Sequence, residues 1–507
     1  MLLSQKKSAY FLGIDIGTSG TKVLLIDEYG KRVHSETIEY PLSTPYPLWA
    51  EQDPELWWNA SVRGIRALLE KSGIASGDVA GIGLTGQMHG SVFLDAQNNV
   101  LRPAILWNDQ RTVKQCEWLT KTIGSENLVN LIGNPVLTGF TAPKIVWLRD
   151  NEPDVYAKVV KVLLPKDYIR FKLTGEFATE VSDASGTALF DVAHRRWSTE
   201  MLAAADIPRS WMPDSFESTT VSGHVDTAAA SETLLQPGTP VVGGGGDQAA
   251  GAVGCGVVET GIVSSTIGTS GVVFAFADHP ATDPKLRIHT FCHAVPGKWH
   301  VMGVQLSAGG SLRWLRDTMF PGEAYTPLTQ RAGSVAAGSE GLIFLPYLAG
   351  ERTPYADPYA RGTYFGITLR HNKDHFLRST LEGVSYGLRD QFEIFKELGV
   401  QINEVRASGG GTRSPIWNQI NADVTGYEHV TLAVDEGPAL GAALLAAVGV
   451  GKFETVTEAC ASAVQVVGSA KPIQAQVDTY NQYYPVYRRL YPALKSEFEV
   501  VSKLSAV

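Results

Sequence analysis

The string Ile-Gly-Thr-Ser-Gly occurs twice in this chain, at Ile16–Gly20 and at Ile267–Gly271, 251 residues apart. The chain has 507 residues, so the spacing is about half its length. Each copy lies between two apolar runs: Tyr10–Ile14 and Val23–Ile26 around the first, Ile262–Thr266 and Val272–Phe276 around the second. Apolar runs on either side of a Gly/Thr/Ser turn predict a β-hairpin. Such a turn offers backbone N–H groups and hydroxyls with no bulky side chain in the way, which suits a phosphate oxygen. One hairpin per half predicts two similar domains holding one polyphosphate between them. The bland alternative is two ordinary hairpins that share a turn.

A chain of this length forms two or more domains with full-sized cores. Its charged fraction of 19% and hydrophobic fraction of 44% mark it as globular. A net charge of −9 argues against a nucleic-acid groove. An anionic ligand must then be held locally, by backbone and a few side chains. The four cysteines contain no CxxC pair, which fits a reducing cytoplasm and no structural zinc. Met1–Lys7 carries no signal-peptide core, so a cytoplasmic location is expected. The longest apolar stretch, Gly437 to Gly451, is too short to span a bilayer.

Residues 9–40 read as a three-strand meander. Asp53 as N-cap and Pro54 in the first turn start a helix. Val79–Leu84 and Ser91–Leu94 are strand-like. A glycine run, Gly243 to Gly246, leads into a helix of small residues from Asp247 to Gly254. The second half repeats this logic. Val405–Ala407 is a strand, Gly409-Gly410-Gly411 a second glycine run, and Gly437–Ala443 another small-residue helix. Two helices with so little bulk can cross closely and serve as a hinge, or be ordinary buried helices. The Tyr- and Arg-rich run near the C-terminus predicts a terminal helix packing back onto the body.

Asp15 ends the first strand, two residues before the phosphate-type turn. It either faces Mg²⁺, through water, or is a solvated turn aspartate. Lys22 adds positive charge near the phosphates or is a surface lysine. Asp247 follows four glycines and begins a helix, whose N-terminal end favours an ionised carboxylate. It is a candidate base for a substrate hydroxyl that attacks a γ-phosphoryl group; the alternative is a plain N-cap. A cap needs no four glycines before it, whereas close approach of a ligand does. Gly81–Gly86 matches GxGxxG, but a turn and strand follow rather than a helix, and no ribose-binding acid stands about twenty residues on. There is no Walker-type loop. Met88-His89 sits in a Gly-bounded turn that can point side chains into a cleft. Trp107-Asn108-Asp109-Gln110-Arg111 is either a sugar platform or a structural corner.

These residues, in this order, resemble the FGGY carbohydrate kinases of the actin/hexokinase/heat-shock-ATPase superfamily, over nearly the whole chain. The resemblance implies an α/β fold of two RNase-H-like domains with an interdomain active-site cleft. It implies boundaries at 1–255, 256–455 and 456–507, the last a set of C-terminal helices. ATP and Mg²⁺ are the implied cofactors and a small sugar the partner. Asp247 would be the catalytic base, with Asp15 on the metal. Thr18, Ser19, Gly20 and Lys22 match the first phosphate loop; Gly268, Thr269 and Ser270 match the second. Gly309 and Gly310 fit the nucleotide side, and Gly409, Gly410, Gly411 and Ser414 the adenosine motif. Met88, His89, Trp107, Asn108 and Gln248 would meet the sugar. Family members are often dimers, so a homodimer is implied too.

Within the family, Trp49–Pro54, Gln87–Gly90, Ile105–Asp109, Leu164–Tyr168 and Leu345–Pro354 are most similar to the members that phosphorylate D-xylulose. Glycerol kinases have Arg-Glu where this chain has Met88-His89. The best-known D-xylulose members carry Asn after the catalytic Asp, where this chain carries Gln248. An actin-like ATPase is the rival from another class. The phosphate hairpins alone would allow it, but the polar cluster at 87–111 and the loop at 350–354 are not expected of a filament.

Overall fold

The computed structural model describes residues 9–433 and 436–505. The expectation placed on Met1–Lys7 falls outside them. The first half is built on a sheet of β1 (Tyr10–Ile16), β2 (Gly20–Ile26), β3 (Arg32–Glu39), β4 (Val79–Gly86), β5 (Val221–His224) and β6 (Pro240–Val242). Their order is β5-β6-β4-β1-β2-β3, with the short Gly245–Gly246 strand also on β4. The second half carries β7 (Gly261–Ile267), β8 (Gly271–Ala277), β9 (His289–Cys292), β10 (Trp299–Gln305), β11 (Ile402–Ser408), β12 (His429–Leu432) and β13 (Val466–Ala470). Their order is β9-β10-β8-β7-β11-β12-β13.

The two sheets share one pattern. In the first, β3, β2 and β1 run antiparallel, and β4 and β6 continue parallel. In the second, β10, β8 and β7 run antiparallel, and β11 and β12 continue parallel. The repeated Ile-Gly-Thr-Ser-Gly string is the β1/β2 turn in one sheet and the β7/β8 turn in the other. The duplication expected from sequence is therefore a duplication of topology.

Six helices matter here: α1 (Pro54–Ser72), α2 (Asp247–Gly254), α3 (Gly309–Met319), α4 (Pro415–Thr425), α5 (Pro438–Gly449) and α6 (Gln474–Ser505). α1 begins as expected, with the Asp53 side chain accepting from Glu55 N. It covers β2 and β3 on one face of the first sheet. α5 comes from the far end of the chain, yet it covers β1 and β4 of that first sheet. With both faces covered, the middle of β1 is a continuous buried run rather than an alternating one. The GxGxxG string lies inside β4, and no helix opens after it. Its glycines have a packing reason: a Cβ on Gly83 would stand 1.9 Å from the Ala442 carbonyl oxygen of α5.

α2 and α5, the two small-residue helices, cross in backbone contact. A Cβ on Gly441 would lie 1.8 Å from the Ala250 carbonyl oxygen. α6 is the expected terminal helix. Its Tyr480, Tyr484, Tyr487 and Tyr491 are buried in the core of the second half at helical spacing. Among the described residues, no helix is long and apolar enough to cross a membrane.

Candidate active site

Asp15 is the penultimate residue of β1 and pairs with Thr85 of β4. Thr85 is flanked on its other side by Gly245. The glycine run thus delivers α2 to the same sheet edge, and Asp247 opens there beside Asp15. The N-cap of α2 is Gly246 and no side chain caps it, so Asp247 is not a capping aspartate. Its carboxyl is held by Gln248, through that residue's backbone amide and side chain.

Burial raises the Asp15 carboxyl to about 7, with the neighbouring Asp247 charge adding to the rise and Lys22 opposing it. Burial raises Asp247 to about 6, against two hydrogen bonds from Gln248 that lower it. Asp247 must be ionised to take a proton. The value of kcat/KM for the acceptor therefore falls by ~10-fold per pH unit once the pH drops below that pKa. A pH–rate profile flat down to pH 5 would remove Asp247 as the titrating group.

The Met88-His89 turn lies against the start of this helix. Met88 is buried at 5% exposure, and its side chain fills the space where Gly246 lacks one. His89 has a φ of 70°, uncommon for a non-glycine residue. Three contacts hold it there. Lys144 Nζ donates to the His89 carbonyl at 2.9 Å, the Phe140 ring stacks on the imidazole at 4.7 Å, and His89 Nδ1 lies 2.6 Å from the Gly186 carbonyl. A carbonyl only accepts, so Nδ1 carries the proton and Nε2 is left as an acceptor. Burial, followed by the charge of Lys144, holds His89 well below its usual range, so it is neutral at pH 7. A neutral Nε2 acceptor suits a sugar hydroxyl. Replacing His89 with alanine should raise the KM for the sugar ~10-fold or more with the KM for ATP within twofold. Steady-state kinetics varying each substrate in turn would show it; equal shifts in both would make His89 structural.

The cluster at 107–111 has an exposed part and a packed part. Trp107 is 42% exposed and its Nε1 donates to Thr18 Oγ1 at 3.0 Å, tying the platform to the first phosphate turn. Asn108 keeps a buried Oδ1 without a hydrogen-bond partner. Asp109 and Arg111 are structural: the carboxylate receives Arg111 at 2.6 Å and Ala50 N at 2.7 Å, and the guanidinium lies over Trp49 at 3.5 Å. Gln248 Nε2 lies 3.4 Å from Asp247 Oδ1.

Lys22 does not face the cleft as a free charge. Its Nζ is ion-paired with Glu436, which also receives Arg32 at 2.6 Å, so this lysine bridges the two halves of the chain. The Thr18 hydroxyl is also engaged, donating to Gln87 Oε1 at 3.1 Å. What the first turn offers is backbone. Among the described residues, the amides of Thr18 and Ser19 donate to no protein partner, and neither do those of Thr269 and Ser270. Gly20 and Gly17 close the first turn, through Gly17 N to Gly20 O at 3.0 Å.

The second turn opens onto a cavity of about 430 Å³. Gly268, Thr269, Gly309, Gly410, Gly411 and Ser414 line it, with Arg313 and Trp417. The first six are residues that the family resemblance assigns to the second phosphate loop, the nucleotide side and the adenosine motif. Gly310, Gly409 and Ser270 do not line the cavity but shape it. Gly310 N donates to Thr269 O at 3.0 Å, Gly409 turns the chain with φ 80°, and Ser270 O accepts from Gly268 N at 2.9 Å. Ser414 is already employed as the N-cap of α4, accepting from Trp417 N at 3.2 Å. Arg313, unremarked in the sequence, donates to Thr269 Oγ1 at 3.1 Å.

The chain therefore combines two turns with free backbone amides, a cavity beside the second, and two buried carboxyls beside a polar turn. Residues 10–254 match the FGGY family of carbohydrate kinases, N-terminal domain, and residues 263–450 match the C-terminal domain of that family. The chain belongs to the FGGY family of carbohydrate kinases. This FGGY kinase is 41% identical to the xylulose kinase of Escherichia coli K12 over 96% of its length and 99% of that protein. It is 37% identical to the xylulose kinase of Bacillus subtilis over 96% of its length and 97% of that protein. Its structure is similar to the crystal structure of a "xyloylose kinase" from Brucella ovis, with a TM-score of 0.91 at 38% identity, covering 96% of this chain and 99% of that one. The FGGY kinase thus has the two-domain fold of that class, and it is an ATP-dependent sugar kinase.

Proposed function

We propose that this kinase transfers the γ-phosphoryl group of ATP to the terminal C5 hydroxyl of D-xylulose. The observation that carries the reading is Asp247 at the start of α2, ionisable near neutrality and flanked by Asp15, the phosphate turns and the His89 turn. The relatives named xylulose kinase support the choice of sugar. The C5 oxygen attacks phosphorus as Asp247 takes its proton; the bond from phosphorus to the bridging oxygen breaks, and ADP leaves with that electron pair. The four turn amides hold phosphate oxygens and oppose the charge that spreads over them in the transition state. Met88, His89, Trp107, Asn108 and Gln248 orient the sugar, and closure of the cleft excludes water, the competing nucleophile.

The residues fit a Mg²⁺ ion. Asp15 makes no hydrogen bond or ion pair with the described residues, and the neighbouring Asp247 charge helps to raise its pKa. Mg²⁺ is typically held by one or two carboxylates together with phosphates and water. Asp15 would hold it, through water, and the ion would supply charge neutralisation for the phosphates. Domains at 1–255 and 256–455 close about the α2/α5 crossing; the segment 456–507, expected to be helices, also carries β13 between its two helices. The proposal also includes a cytoplasmic homodimer. Gln248 beside the base favours a second reading, in which another ketopentose, ribulose or L-xylulose, is preferred. Carbon NMR of the product tests the position of transfer. Phosphorus coupling on C5 of D-xylulose is expected; coupling on C1 instead would overturn the geometry.

A further inference from the structure

The Arg352 guanidinium makes no ion pair with the described residues. Arg352 lies in a loop that is pinned to β10. Thr353 N donates to Val304 O at 3.0 Å, and Val304 N donates to Thr353 Oγ1 at 3.1 Å. Val304 in turn pairs with Val272, just past the second phosphate turn. The Thr353 hydroxyl donates to Arg287 O at 3.1 Å, two residues before His289. The His289 ring lies 5.7 Å from Phe140, which stacks on His89. The backbone of Arg352 is thereby fixed between the phosphate turn and the His89 pocket.

The Arg352 side chain is half-buried and makes no hydrogen bond or ion pair with the described residues, yet its nitrogens are not sealed from solvent. Burial lowers the guanidinium pKa from its usual value, the Glu351 charge opposing that, and no ion pair joins the two. That carboxyl accepts from the amides of Leu306 and Arg352, and burial raises it to about 8, so it is protonated at pH 7. The Arg352 charge is among the causes that hold both His89 and His289 below their usual range. It is not among the charges acting on Asp15 or Asp247. The guanidinium charge is thus felt at the His89 and His289 rings, on the side of the site where the His89 turn lies.

We propose that Arg352 binds the carbonyl oxygen of an open-chain ketose and so makes the site selective for ketoses over polyols. This rests on the ketopentose reading above. A 2-ketopentose closes to a furanose through its C5 oxygen, so a free C5 hydroxyl exists only in the open chain. The molecule that reaches Asp247 therefore carries a bare C2 carbonyl, a group that accepts hydrogen bonds and donates none. Guanidinium is the complement, with five donors and no acceptor. His89 Nε2 accepts from a hydroxyl, and Arg352 donates to the carbonyl. Together they distinguish the two kinds of sugar oxygen along one chain.

The test compares wild type, Arg352→Met and Arg352→Lys on D-xylulose, with xylitol and D-arabinitol (its two C2-reduced forms) as competitive inhibitors. The Met variant should raise the KM for D-xylulose by about 30-fold or more, because a site built around a hydrogen bond discriminates strongly when that bond is lost. The polyol Ki values should stay within threefold and the Lys variant should lie between. An unchanged dissociation constant for ADP and an unchanged melting midpoint show that the variants fold. Equal losses for ketose and polyols, or an unchanged KM, would overturn the assignment to Arg352 and leave the kinase reading intact. A wild-type enzyme that phosphorylates polyols but no ketose would overturn both.

Discussion

Replacing Asp247 with alanine should lower kcat by at least ~100-fold while ADP still binds, the loss expected when a general base is removed from a positioned hydroxyl. The variant should also be more stable than wild type at pH 8. The folded-state pKa of about 6 lies above the unfolded value of 3.8. The native carboxyl thus holds its proton more tightly than the unfolded one, and the fold loses stability as pH rises through that window. Above it the buried charge is a constant cost, which alanine removes. Stopped-flow or coupled assays, ADP titration and thermal melts at pH 8 read the three quantities. A variant that turns over normally contradicts the base assignment. One that is inactive, melts early and fails to bind ADP shows only a damaged fold.

The second large effect lies at the crossing of α2 and α5. Replacing Gly441 with alanine puts a methyl carbon 1.8 Å from the Ala250 carbonyl oxygen and 3.0 Å from Gly254 N. Both obstacles are helix backbone, which cannot rotate aside as a side chain can. The helices must separate, and α5 also covers β1 and β4 of the first sheet. The expected loss is about 3 kcal/mol or more, at the upper end of overpacking costs. Urea denaturation followed by tryptophan fluorescence measures it. Wild-type stability would mean that the two backbones are not in contact in solution.

What was legible in the sequence was local. A turn of Gly, Thr and Ser between apolar runs states its own conformation, and its repetition announced the duplicated topology. The glycine run before Asp247 likewise marked a helix start, and Gly309, Gly410, Gly411 and Ser414 share one cavity with the second turn. What stayed hidden depends on partners far along the chain. Nothing near Lys22 indicated Glu436, which takes up its charge. Lys144 is a lone charge in the apolar run Ala142–Leu148, a signal that could have marked it as a buried ligand of something; its partners are the backbone carbonyls of His89 and Gly139. Arg352 stood in a string noted for its resemblance, but that its guanidinium makes no ion pair with the described residues emerges only once β10, His289 and Glu351 surround it. The strain at His89 was equally unreadable, because a positive φ there is held by Lys144, Phe140 and Gly186 rather than by its neighbours.

The most direct measurement is ADP release with Mg·ATP against D-xylulose, L-xylulose, D-ribulose, L-ribulose, glycerol, xylitol and no sugar. The account predicts a strong signal with D-xylulose, weak signals with the other sugars and polyols, and a slow leak without any. ADP release at one rate whatever sugar is present would contradict it.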